Sequence, residues 1–126
     1  MVYRHKTNIE LDLIKKEIAL KSKEFGFGIL KEYSFKTILK EKGFPIEKDI
    51  TVYELCNPAA AQAALELHPE ISIYLPCRIS LYEENGQSVL STIGIEDMLG
   101  TFELEDSFKE HMQSIFDKVK KLLNSW

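Results

Sequence analysis

The chain has 126 residues, of which 44% are hydrophobic and 29% charged, a composition that excludes disorder and supports one buried core, so a single domain over 1–126 is expected. A formal net charge of -4 argues against the cationic surface that neutralises phosphates, so nucleic acid is not an expected partner. No apolar run in MVYRHKTNIELDL has the length of a signal peptide or membrane span, so no membrane partner is expected either, and the two cysteines are expected to stay reduced in a cytoplasmic setting.

Residues 2–6 read as a short strand. Thr7 followed by Glu10 reads as a capping box, which predicts that a helix begins there, with Leu11, Ile14 and Ile18 on its inner face. Gly26 in FGFG stops that helix by taking the left-handed conformation. Residues 28–33 form a second predicted strand. Ser34 caps a short helix carrying Phe35, Ile38 and Leu39, and Gly43 closes it. The β-branched and aromatic run 50–55 predicts a third strand.

Asn57 and Pro58 then give a strong helix start, because the missing proline amide costs nothing in the first turn. The helix is expected to run to about His68, where Pro69 ends it, and its alanines allow close approach to a sheet. Ile71, Ile73, Leu75, Cys77, Ile79 and Leu81 alternate with Ser72, Tyr74, Pro76, Arg78, Ser80 and Tyr82, the period-two pattern of one long strand. Asn85-Gly86 predicts a hairpin into 88–93. An extra helical turn near Met98 precedes the strongest helix signal, in which Phe108, Met112, Ile115, Val119, Leu122 and Trp126 recur at spacings of four and three. Acidic residues at its start and Lys118, Lys120 and Lys121 near its end suit the helix dipole. The order β-α-β-α-β-α-β-β-α predicts a two-layer α+β fold with helices packed on a mixed β-sheet.

The only cysteines are Cys56 and Cys77. If the strands flanking the alanine helix are parallel, both thiols reach the carboxyl edge of that pair, beside the helix N-terminus. Pro76, unable to donate to a ladder, marks where pairing stops. The expected binding site is therefore Cys56, Asn57, Pro58, Pro76 and Cys77. Cys56, at a helix N-terminus, is the better nucleophile candidate, and Cys77, on the apolar face, the more inert thiol or a resolving partner. The alternative is that each thiol packs as a small hydrophobe. No metal site is expected: the spacing is not C-x-x-C, His68 lies about three turns down the helix, and His5 and His111 are isolated surface residues. No cofactor is expected, since phosphate-loop, H-E-x-x-H and G-x-S-x-G motifs are all missing.

GFGIL at 26–30, CNPAAAQAAL at 56–65 and LPCRISLYE at 75–83 together resemble a bacterial and archaeal family known as domain of unknown function 302. The residues carrying the resemblance are Gly26, Gly28, Cys56, Asn57, Pro58, Leu75, Pro76 and Cys77. In that family a glycine often lies close before the first cysteine; here Glu54 and Leu55 stand there. The resemblance implies a two-layer α+β fold and a homodimer, with no established activity.

Two functions compete. One is a homodimeric binding or accessory domain with a small-molecule ligand at the cysteine edge; no acid/base or nucleophile–base pair speaks for turnover. The other is a thiol-dependent redox or sulfur-handling protein using Cys56. Tyr74, Arg78 and Tyr82, on one face of the predicted long strand, form a stripe of the kind found at interfaces.

Overall fold

The computed structural model describes residues 1–126. Five strands, β1 (Val2–Thr7), β2 (Gly28–Ser34), β3 (Thr51–Cys56), β4 (Cys77–Glu84) and β5 (Gln87–Ile93), form one sheet in the order β1-β5-β4-β3-β2. Five helices accompany them: α1 (Leu11–Glu24), α2 (Phe35–Glu41), α3 (Pro58–Leu67), α4 (Glu96–Thr101) and α5 (Asp106–Leu123). The α+β class and element order are as expected, but the sheet is antiparallel at every pairing rather than mixed.

The reversal has a local cause. The segment expected to start the fourth strand is a 3₁₀ helix, Pro69–Tyr74, and β4 begins only at Cys77. Alternating apolar residues cannot distinguish strand from 3₁₀ helix over so short a run. In the tighter helix, residues three apart share a face. Ile71 is accordingly fully buried and Tyr74 packs at the core edge, while Ile73 is 74% exposed. The chain thus runs out along α3, returns through the 3₁₀ turn, and enters β4 from the rim where β3 ended.

Of the expected helix starts and stops, only the one at Thr7 fails to form; Gly43, at φ +83°, closes α2 as expected. Ser34 Oγ accepts from the Thr37 amide at 3.5 Å, and Asn57 Oδ1 accepts from the Ala60 amide at 3.1 Å. Gly26, at φ +89°, closes α1: the Phe27 amide donates to the Ser22 carbonyl at 2.8 Å and the Gly26 amide to Lys23 at 3.0 Å. Thr7 does not cap α1. It ends β1, its Oγ1 accepting from the Ile9 amide and donating to the Trp126 carbonyl, and α1 starts four residues later. The Asn85-Gly86 hairpin forms as expected, with positive φ at both residues.

One face of the sheet carries the core. Tyr53, Leu55, Ile79, Leu81 and Leu90 meet Ile14 and Ile18 of α1 and the whole apolar stripe of α5, every member of which is buried. Trp126 follows that stripe and is also buried. The opposite sheet face, which includes Val52, Glu54, Arg78, Ser80 and Ser91, is covered far less completely and forms the floor of an open groove. No helix is long and apolar enough to cross a membrane.

Candidate functional site

Three segments far apart in sequence converge at one rim of the sheet. β2 begins where β3 ends, with Gly28 opposite Cys56, and β4 begins there too, with Cys77 opposite Leu55. Gly26 stands against the start of α3, since a side chain there would meet Asn57 Nδ2 at 3.5 Å. The parallel arrangement expected of β3 and β4 is wrong, yet both thiols arrive at one rim. Shortening β4 by six residues and reversing it leaves Cys77 beside the end of β3.

A cavity of about 270 Å³ opens at this rim, beneath α3. Cys56, Asn57, Pro76 and Cys77 line it, together with Phe27 and Ala64. Pro58 is not among the lining residues; it occupies the first turn of α3, and its contribution is to start the helix. Sequence reasoning missed the floor, supplied by Met112 and Ile115 of α5. Their helical spacing announced burial, but nothing local said against what. Ala60 and Ala64, one turn apart, are the only buried residues of α3, so small side chains leave space between helix and sheet.

Both thiols are half-buried and neither is bridged. Burial pushes the Cys77 thiol above its ordinary value, and the neighbouring Cys56 adds in the same direction. Cys77 is therefore a protonated, weakly nucleophilic thiol at neutral pH. The histidines stand apart from the sulfurs. His68 ends α3, its Nε2 2.9 Å from Glu105 Oε2 and its ring edge-on to Phe108, so it ties α3 to the start of α5. His111 is exposed. His5 is not the surface residue expected: it is half-buried, and its Nε2 has no partner. No three His, Cys, Asp or Glu side chains cluster as metal ligands would.

The stripe expected of Tyr74, Arg78 and Tyr82 is broken, because Tyr74 belongs to the 3₁₀ helix, with its hydroxyl 3.1 Å from Thr101 Oγ1 and its ring against Phe102. Arg78 lies beside Glu54, Nη2 to Oε2 3.5 Å, as their register predicts. Glu54 is 7% exposed and Tyr33 faces it, the Glu54 carboxylate raising the Tyr33 phenol.

A model of the family described as domain of unknown function DUF302 matches residues 3–126. The chain belongs to the DUF302 family. Among solved structures, it resembles an uncharacterised conserved DUF302 protein from Bacillus stearothermophilus, with a TM-score of 0.87 and 24% identity over 98% of this chain and 95% of that one. That likeness extends to the fold. A search of curated proteins found no match. Within this DUF302 chain, the three segments that carried the resemblance are the ones that meet at the thiol rim.

Proposed function

We propose that this DUF302 chain is a homodimeric binding domain that takes a small, mainly apolar molecule in the cavity beneath α3. The observation that carries the reading is that both cysteines and the N-terminus of α3 line one cavity, walled by Leu55, Ala60, Ala64 and Ile115. Its volume, about 270 Å³, sits at the small end of ligand sites. The exposed Leu30 and Leu65 lie at its lining and offer apolar area that a second copy would cover.

Indole is a suitable probe. Titrated into the isotopically labelled protein, it is expected to shift the amides of Ala60, Ala64, Cys77 and Ile115. Ala61→Phe, which fills the cavity from a half-buried position, should remove those shifts. Unmoved amides, or an Ala61→Phe protein that binds indole as the parent does, would overturn the ligand site. A monomeric mass by light scattering at micromolar concentration would overturn the homodimer.

One observation favours a second reading, a thiol redox function: Cys56 is near enough to Cys77 to raise its proton affinity. On that reading Cys56 attacks a disulfide such as oxidised glutathione, releasing one glutathione thiolate and leaving a mixed disulfide. Cys77 then loses its proton and attacks the Cys56 sulfur, expelling the second glutathione. Two electrons pass from the protein thiols to glutathione, and the chain loses two hydrogens. Intact mass after incubation should show that loss, and Cys77→Ala should stall at the glutathione adduct. An unmodified parent would sink the redox reading and leave the cavity reading standing.

A further inference from the structure

The thiol cavity is not the larger space in the molecule. A space of roughly 1040 Å³ is lined at one end by Met112, Phe116 and Val119 of α5 and continues onto the opposite sheet face as a groove, with Phe35 and Ile38 of α2 on one side and Val2 and Ile93 on the other. Its floor follows from the register. One row across the sheet reads Tyr33, Val52, Ser80, Ser91, Arg4, each opposite the next. Two serines therefore stand side by side at the centre of the sheet, where β-branched or aromatic residues would ordinarily fill the surface. They leave a trough.

Ser91 makes the trough more than a packing defect. The residue is 9% exposed, it lines the groove, and its Oγ is buried with no hydrogen-bond partner. A buried hydroxyl without a partner costs stability, and native proteins seldom leave one without a water, an ion or another polar group to satisfy it. Arg78 follows in the adjacent row. It is the only cation lining the groove; its side chain is 66% exposed, and the contact with Glu54, at 3.5 Å, occupies one end of a guanidinium that carries five donors. Asp97, the only acid of the lining, is already paired with the N-terminal amine at 3.1 Å. What remains is an apolar trough with one buried, unpartnered hydroxyl and one accessible guanidinium.

We infer that this groove binds an amphipathic carboxylate, its hydrocarbon part lying along Phe35, Val52 and Ile93 and its carboxylate held by Arg78 and Ser91. Concavity argues against a second copy as occupant. A two-fold contact places the same patch on both partners, and two facing troughs do not fill each other. Arg78 and Ser91 line only the larger space, which shares Leu75, Pro76, Cys77 and Met112 with the thiol cavity as a common wall.

Decanoate below its micelle concentration and decan-1-ol are the probes, titrated into the full chain by calorimetry and followed at backbone amides. Decanoate should bind more tightly than the alcohol and shift Val52, Ser80 and Ser91. Arg78→Gln should weaken decanoate about tenfold while leaving decanol unchanged, as expected for loss of a charge-assisted hydrogen bond. Ser91→Ala should weaken decanoate several-fold yet melt no lower than the parent, because it deletes an orphan hydroxyl. Equal affinity for acid and alcohol, or an Arg78→Gln protein that binds as the parent does, would overturn the inference. So would shifts confined to Ala60 and Ala64, which place the probe in the thiol cavity. A dimer that Ser91→Trp dissociates, with no decanoate binding to the parent, would make the groove an interface instead.

Discussion

Cys77 illustrates how a single position couples burial to stability. Its folded-state thiol titrates above the ordinary value of 9.0, first because it is desolvated and second because Cys56 is close. A group that holds its proton more tightly when folded favours the folded state below its unfolded value. That contribution disappears as pH rises through the folded value, since the unfolded chain ionises first. The parent should therefore lose stability on moving from neutral pH to above the ordinary thiol range, and Cys77→Ala should lose less. Urea midpoints of the two proteins across that range provide the check; parallel curves would remove the assigned burial effect. Cys77 should also be alkylated slowly by iodoacetamide at neutral pH. The inertness of this residue is legible in its neighbours, because the strand into which it leads has an apolar face. Its proximity to Cys56 is not, since the expected parallel pairing is the wrong route to the right rim.

The segment between α3 and β4 shows where element-level reading reaches its limit. Over residues 71–81 the alternation is unbroken in composition, and its last five residues do form strand. Its first four sit instead in a 3₁₀ turn that packs Ile71 into the core and leaves Ile73 outside. A strand would place these two isoleucines on one face. In this structure Ile71→Ala should cost about 2–5 kcal/mol as a buried large-to-small change. Ile73→Ser should stay within about 0.5 kcal/mol, as exposed substitutions do. Chemical denaturation of both variants decides the matter, and similar large losses would restore the long strand. The helix starts are more legible, because a cap is a bond between near neighbours: Asn57 reaches the Ala60 amide whatever surrounds it. Thr7 is the instructive failure. Its hydroxyl accepts from the nearby Ile9 amide, but it donates its proton to the carbonyl of Trp126, 119 residues away.

That contact belongs to the scale of the whole molecule. Trp126 is 8% exposed; its indole Nε1 donates to Glu17 at 3.2 Å, Lys21 lies 4.4 Å above its ring, and its carbonyl accepts from Thr7. The last residue thereby closes α5 onto α1 and β1. Trp126→Ala should cost about 3–5 kcal/mol, a large part of the roughly 5–15 kcal/mol by which domains are stable. Thermal denaturation followed by circular dichroism measures it, since the variant has no tryptophan to report by fluorescence. A melting point near the parent's would mean that the C-terminus is not part of the core.

Properties carried by near neighbours are legible in the amino-acid sequence by itself: the α+β class, the helix caps at Ser34 and Asn57, the Gly26 stop, the Asn85-Gly86 hairpin and the buried stripe of α5. Periodicity and capping act over a few residues, so they survive without knowledge of partners. Strand direction, the meeting of the two thiols through an antiparallel pair, the serine trough and the Thr7–Trp126 tie are decided by tertiary structure. Each depends on which distant surface a segment packs against, and a local pattern of apolar and polar side chains is compatible with more than one such surface.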